Sequence, residues 1–282
     1  MVNTGETTYL VTGASRGIGL EMVKQLLARG DVVVAAARKS AKATNLQAMK
    51  TDKLHVIELD VENPTTIQAA AAALKRDVPC VDVLINNLGV LGSLERSSEA
   101  DLEDVAWVLK VNVLGTLAVT QAMLPLLRKG GKKVIVNTSS TLGSIGNKEL
   151  LLADDEARRG NAFAWGAVAY NMSKAAMNMQ TMSLAADLKD EGITVISHCP
   201  GWVITDMGNS GAEPFDGKAG PELTVEDSVR YQLKNIDGAD LSKTGLFLPT
   251  PGSACRGKGA QHCGWHATDI ARLGTFWWQP TF

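Results

Sequence analysis

The chain has 282 residues, 45% of them hydrophobic and 27 of them glycine, with a formal net charge of −2. That length and apolar share suffice for one large α/β core, and the near-neutral charge without a basic run argues against a nucleic-acid surface. No apolar stretch approaches the ~20 residues of a membrane span, and the N-terminus lacks the charged-then-apolar layout of a signal peptide, so a cytoplasmic protein with no membrane partner is expected.

Thr7 to Thr12 reads as a short apolar strand, followed at once by Gly13-Ala14-Ser15-Arg16-Gly17-Ile18-Gly19. Leu20, Val23, Leu26 and Leu27 then fall on one side of a helix running to Ala28. Strand, glycine turn and helix in that order make a phosphate site: Gly13 allows the tight turn, Gly17 lets the backbone approach a pyrophosphate, and Gly19 lets the helix close on the strand. The helix dipole and free N–H groups attract the anion, so Gly13, Ser15, Arg16, Gly17, Ile18 and Gly19 are candidate cofactor contacts. The plain alternative is a glycine-rich turn without a ligand.

A second strand spans Val32 to Ala37. An NAD site commonly places an acid at the end of this strand, about 20 residues past the glycines, to bind the ribose 2′-hydroxyl. Here Asp31 stands at the wrong end, and the strand finishes on Arg38 and Lys39. With Arg16 in the loop, these supply cations where a 2′-phosphate would lie and no carboxylate to repel it, so NADP(H) is expected over NAD(H). Ordinary solvated loop charges are the alternative.

Further along come a strand at Leu54 to Leu59, an alanine-rich helix at Pro64 to Lys75 and a strand at Val81 to Ile85. Two helices follow, about 101–111 and 113–127, then a strand at Lys133 to Asn137. A helix carrying Tyr170 to about Asp187 precedes a strand at Ile193 to Ser197, and Gly245 to Leu248 makes a possible seventh. Such alternation predicts a Rossmann-type α/β fold, a doubly wound parallel sheet of about seven strands with helices on both faces, over 1–250. Ligands in such sheets lie beyond the carboxyl ends of the strands. The residues there are Asp60-Val61, Asn86 to Gly89, Thr138-Ser139-Ser140 and Pro200-Gly201-Trp202-Val203. Each alone is more often turn chemistry than function.

Tyr170 and Lys174 are four residues apart and share a helix face. A phenol titrates near ~10 and a nearby cation favours the phenolate, so such a tyrosine can exchange a proton with a carbonyl oxygen or an alcohol. The pair occurs by chance on many helices and gains weight from the nucleotide site beside it.

With these motifs in this order the sequence resembles the short-chain dehydrogenase/reductase family, in its compact branch with the TGxxxGxG loop, from about Thr8 to Leu248. Within it, Pro200 to Gly208 and the residues after Lys174 resemble carbonyl reductases related to bacterial C-factor and insect sniffer, and fungal norsolorinic-acid-type ketoreductases. The resemblance implies NADP(H)-dependent reduction of a small carbonyl substrate, or the reverse oxidation, by a homodimer or homotetramer. It implies that Ser140 holds the carbonyl, Tyr170 protonates it, and Lys174 lowers the tyrosine pKa and binds the nicotinamide ribose. It further implies a water on Asn112, adenosine contacts from Asp60, Val61, Asn86 and Gly89, and contacts from Pro200, Gly201, Val203 and Thr205 around the carboxamide. A non-catalytic NADP(H)-binding protein of the same fold is the other reading.

This chain departs from the family at three places. Ser140 and Tyr170 stand thirty positions apart, with an insertion at about 147–168 that could be a cleft wall, an interface or a surface excursion. Ser139, Ser140 and Ser144 all offer a hydroxyl; Ser140 is three before Gly143, as in the family's SxxG pattern. Leu88 replaces the usual small residue of NNAG. The tail, 251–282, holds Cys255, His262, Cys263 and His266 in a spacing that fits no tight zinc pattern, so no metal is expected; its tryptophans suit packing on the cleft or a subunit. Cys80 and Cys199 complete four cysteines without a pairing pattern, the mark of a reduced protein.

Overall fold

A computed structural model describes residues 6–146, 166–212 and 220–249. Most of the 147–168 insertion and the whole 251–282 tail lie outside the described residues. Seven strands run parallel: β1 (Thr8–Thr12), β2 (Val32–Ala37), β3 (Leu54–Glu58), β4 (Val83–Asn86), β5 (Val134–Thr138), β6 (Thr194–His198) and β7 (Phe247–Leu248). Their order is β3-β2-β1-β4-β5-β6-β7. The chain reverses direction of travel across the sheet between β1 and β4, which opens a crevice beyond their carboxyl ends.

The central strands are largely apolar and buried because helices cover both faces of the sheet, while the edge strand β3 is only partly buried. Alternate residues serve opposite cores: Leu10, Val34, Leu84, Ile135 and Val195 face one, and Val11, Val33, Ile85, Val136 and Ile196 the other. The first core is closed by α3 (Pro64–Asp77), α5 (Thr116–Leu127) and α6 (Val168–Leu188), through Leu74, Met123, Leu126 and Leu184 among others. The second is closed by α1 (Gly17–Ala28) and α8 (Val225–Asp237), through Met22, Leu26, Leu233 and Ile236. Truncating a fully buried leucine such as Leu26 to alanine would cost about 2–5 kcal/mol. Two short helices, α2 (Thr44–Gln47) and α7 (Asp206–Ser210), lie over the cleft edge.

The parallel sheet and its seven strands match expectation, with strand ends shifted by a residue or two. The two helices expected at about 101–111 and 113–127 are one run: α4 (Leu102–Leu109) passes into α5 through a π-helical turn, Lys110–Gly115. This fusion also corrects the expectation that no segment is long enough to span a bilayer. Leu102–Leu127, 26 residues, meets that test by length and composition. Part of its apolar surface is used in packing, 39% of the most apolar window being buried: α5 covers α3 and β4, and α4 lies on α6. Neither α2, α7 nor α8 was expected. Yet α8 carries its own signals: Thr224 Oγ1 accepts from the Asp227 N–H at 3.1 Å, and Val229, Leu233 and Ile236 recur at helical spacing.

Candidate active site

The loop between β1 and α1 is shaped to receive an anion. Gly13 (φ +64°) and Gly17 (φ +53°) adopt the left-handed conformation that side chains resist. At Gly19 a β-carbon would stand 2.4 Å from the Gly13 carbonyl oxygen, so helix and loop close on each other only through glycine. Arg16 occupies the N-cap of α1 without a capping side-chain bond, and the first turn holds no acid. Its N–H groups and dipole therefore remain available to a phosphate. Thr12 ties the next strand end to this loop: its Oγ1 accepts from the N–H of Asn87 at 3.0 Å and of Leu88 at 3.1 Å, and Asn87 Nδ2 donates to the Thr12 carbonyl at 3.1 Å.

The cleft beyond these strand ends has a volume of about 500 Å³. Of the residues expected to contact a cofactor, Gly13, Ser15, Arg16, Gly17, Ile18 and Gly19 line it from the loop, and Arg38, Asp60 and Val61 from the ends of β2 and β3. Gly89, Tyr170, Lys174, Pro200 and Thr205 line it from the other side. A dinucleotide fits this combination of open helix terminus, left-handed glycines and elongated cleft. Asn87 and Leu88, expected only as part of the strand-end run 86–89, also line it, as do Ile204, Asp206 and Met207, which were not expected as contacts and lie in the Pro200–Gly208 run after β6.

Several expected contacts lie elsewhere. Asn86 is fully buried and belongs to the core: its Nδ2 donates to Thr120 Oγ1 at 3.0 Å and to Asn137 Oδ1 at 2.9 Å. Asn86 is still strand, facing inward, and the cleft position falls to Asn87. Val203 is also buried, its backbone bridged to Leu223, and Gly201 (φ +84°) forms the turn before it. Asn112 sits inside the π turn, and its side chain is committed. Oδ1 accepts from the Val90 N–H at 2.8 Å, while Nδ2 donates to the Val90 carbonyl and to Ser173 Oγ, both at 2.9 Å. It fastens the loop after β4 to the helix that carries Lys174.

The cations meant for a 2′-phosphate have company, against expectation. Arg16 Nη1 lies 2.9 Å from Asp206 Oδ2, and Arg38 Nη1 lies 3.8 Å from Glu62 Oε2. Both acids line the same cleft.

Ser140 and Tyr170, thirty positions apart, meet. Ser140 caps the 3-10 turn Thr141–Gly143, accepting from the Leu142 N–H at 3.1 Å, and its hydroxyl is near enough to the Tyr170 phenol to favour the ionised form. Of the alternative hydroxyls, Ser139 Oγ is spent on the Lys174 carbonyl at 3.2 Å. Lys174 Nζ is buried, donates to the Thr138 carbonyl at 2.7 Å, and stands 5.3 Å from the centroid of the Tyr170 ring.

The electrostatics differ from the simple pair. Burial pushes the phenol of Tyr170 above its ordinary value, with Cys199 adding to the rise and the nearby Ser140 hydroxyl opposing it. Tyr170 is therefore held in the protonated, proton-donating form, and burial outweighs the lowering expected from its neighbour. Burial also lowers Lys174 from 10.5 to about 8, partly offset by Cys199. His198, at the end of β6 with Nε2 3.2 Å from Thr138 Oγ1, is lowered to about 3 by burial and then by the Lys174 charge, so it is neutral.

Comparison with known proteins agrees with this geometry. The profile of the short chain dehydrogenase family matches residues 7–151 and 158–214. An uncharacterized oxidoreductase of Schizosaccharomyces pombe, C663.08c, is 37% identical over 265 residues, covering 89% of this chain and 98% of that protein. C-signal of Myxococcus xanthus is 41% identical over 176 residues, 61% of this chain and 90% of that protein. Among solved structures, the NADPH-bound carbonyl reductase from chicken fatty liver superposes with a TM-score of 0.75 at 32% identity, over 89% of this chain and 94% of its own. A family profile that matches most of the chain, together with a relative 37% identical over almost its whole length, shows that this chain belongs to the short-chain dehydrogenase/reductase family of oxidoreductases.

Proposed function

We propose that the chain reduces a carbonyl compound to an alcohol with NADPH, with Tyr170 as the proton donor, and runs in the opposite sense when alcohol and NADP⁺ are supplied. The single observation that carries this reading is the placement of Tyr170 and the buried Lys174, its Nζ 5.3 Å from the ring centroid, in the same cleft that the glycine loop lines. The bound nicotinamide would supply the hydride. Ser140 orients the carbonyl oxygen toward the phenol, and Tyr170, kept protonated by burial, gives its proton to that oxygen as negative charge develops. Lys174, anchored on the Thr138 carbonyl, stands under the Tyr170 ring and stabilises the phenolate left behind. Asn112 keeps the Val90 loop and the α6 helix in register around these groups.

Val90, Ile204 and Met207 line the same cleft as Tyr170, which favours a carbonyl borne on an apolar or aromatic body, such as a ketone, aldehyde or quinone. Support for NADPH comes from Arg16 and Arg38 in the cleft and from the NADPH bound by the chicken carbonyl reductase. Self-association is proposed through α6 and the π turn that leads into α5. Leu114, Met172 and Met179 are exposed there, and Lys174, which is buried, is the only charged residue between 168 and 186.

The test is NADPH oxidation against a panel of ketones, aldehydes and quinones, repeated with NADH and with Tyr170→Phe. Loss of the proton donor should cost about 10²–10⁴-fold in kcat. Turnover unchanged in Tyr170→Phe would sink the mechanism.

A further inference from the structure

Glu62 is not a loose surface acid. Its backbone N–H donates to Asp60 Oδ1 at 3.0 Å, a turn that brings it back over the end of β3. Its Oε1 accepts from the indole Nε1 of Trp107 at 3.0 Å, so a residue of α4 holds the carboxylate across 45 positions of sequence. Its other oxygen, Oε2, faces Arg38 Nη1 at 3.8 Å. The Arg38 side chain is 64% exposed and the Glu62 side chain 33%. The acid is tethered through its backbone and one oxygen, and the base is the more exposed of the two. Because the indole is a neutral donor, it holds the carboxylate in place without cancelling its charge.

Both side chains line the cleft where the ribose of a dinucleotide meets the end of β2. A phosphate drawn to Arg38 carries close to two negative charges and comes to rest a few ångströms from a carboxylate that the Trp107 indole holds beside it. A ribose hydroxyl in the same place meets no such repulsion and can donate to the acid. We propose that Glu62, held by Trp107, is a specificity-determining residue that restrains the preference for a 2′-phosphorylated dinucleotide and keeps the unphosphorylated one usable. The proposal rests on the reading above that the adenosine ribose lies beside Arg38. It adds an opposing charge to what the arginines alone would dictate.

The experiment is equilibrium binding by calorimetry, with adenosine 2′,5′-bisphosphate and adenosine 5′-monophosphate as probes, on the full chain and on Glu62→Gln and Trp107→Phe. Glu62→Gln should bind the bisphosphate about 3–10-fold tighter and the monophosphate within about twofold of the parent. The gain should shrink as salt rises from about 0.05 to about 0.5 M, since an exposed charge is screened. Trp107→Phe should give a smaller gain in the same direction and add nothing on top of Glu62→Gln. The proposal is overturned if Glu62→Gln binds the bisphosphate no better than the parent, or if both nucleotides shift equally. Thermal melts establish that each variant is folded, and Glu62→Ser stands in should the glutamine variant not be. A folded parent that binds neither nucleotide would overturn the cofactor reading as well, whereas a parent that binds both with an unresponsive Glu62→Gln overturns this proposal alone.

Discussion

Gly143 and Lys174 meet backbone to backbone: a β-carbon on Gly143 would stand 2.5 Å from the carbonyl carbon of Lys174 and 2.8 Å from its Cβ. The contact seats the Ser140 turn on the helix that carries Tyr170. Gly143→Ala cannot be relieved by a side-chain rotation, because most of the obstruction is main chain. It should cost about 1–3 kcal/mol of stability, and kcat should fall at least tenfold as Ser140 and Tyr170 separate. A urea melt together with steady-state rates would check both; parent-like values in each would show that the contact yields freely.

Lys174 gives a stability that depends on alkaline pH. Its folded value of about 8 lies below the ordinary 10.5. Between those values the unfolded chain binds the extra proton, so stability should rise with pH across that window, by at most roughly 3 kcal/mol. Below about pH 8 the buried ammonium is charged in both states and its burial penalty is fully felt. Lys174→Met should therefore be more stable than the parent at pH 7, with the gap closing toward pH 10. Chemical denaturation at a series of pH values measures that difference, and a gap independent of pH would contradict the burial argument.

His198 gives the mirror case in acid. Lowered to about 3 from 6.5, it stays neutral in the fold while the unfolded chain takes a proton. Stability is intact above about pH 6.5 and should be lost progressively as pH falls toward 3. His198→Gln keeps a polar partner for Thr138 Oγ1 and removes the titration. Its acid-unfolding curve should be shallower than that of the parent through this range; coincident curves would assign the acid sensitivity to other groups.

For self-association, Leu114→Arg and Met179→Arg each place a charge on an exposed apolar face, where the side chains are 61% and 64% exposed. Light scattering after size exclusion should show smaller particles for both variants, with melting temperature per protomer little changed at high concentration. Unchanged mass for both would move the interface elsewhere.

Much of this was legible in the sequence. Strands buried on both faces read as continuous apolar runs, and the glycine loop and the Tyr170–Lys174 spacing are local signals, so each survived the absence of tertiary information. What was not legible depends on long-range geometry. Whether Asn86 or Asn87 faces the cleft is decided by where β4 stops, one residue apart. Glu62 beside Arg38, and Asp206 beside Arg16, join residues 24 and 190 positions apart, and no periodicity announces them. The expected lowering of the Tyr170 phenol failed for the same reason: the sequence shows the neighbouring charge but not the burial that opposes it.

One additional residue in a helical turn offsets everything beyond it by about 100° of helical phase. In the turn Lys110–Gly115 that offset lets Asn112 reach Val90 while Val119, Met123 and Leu126, further along, still face the core. Removing any one residue from 110–115 would restore regular winding and force a choice: the loop after β4 loses its fastening, or the apolar stripe of α5 turns toward water. Loops around the cleft can change length without this consequence, whereas the count of residues in this short stretch cannot.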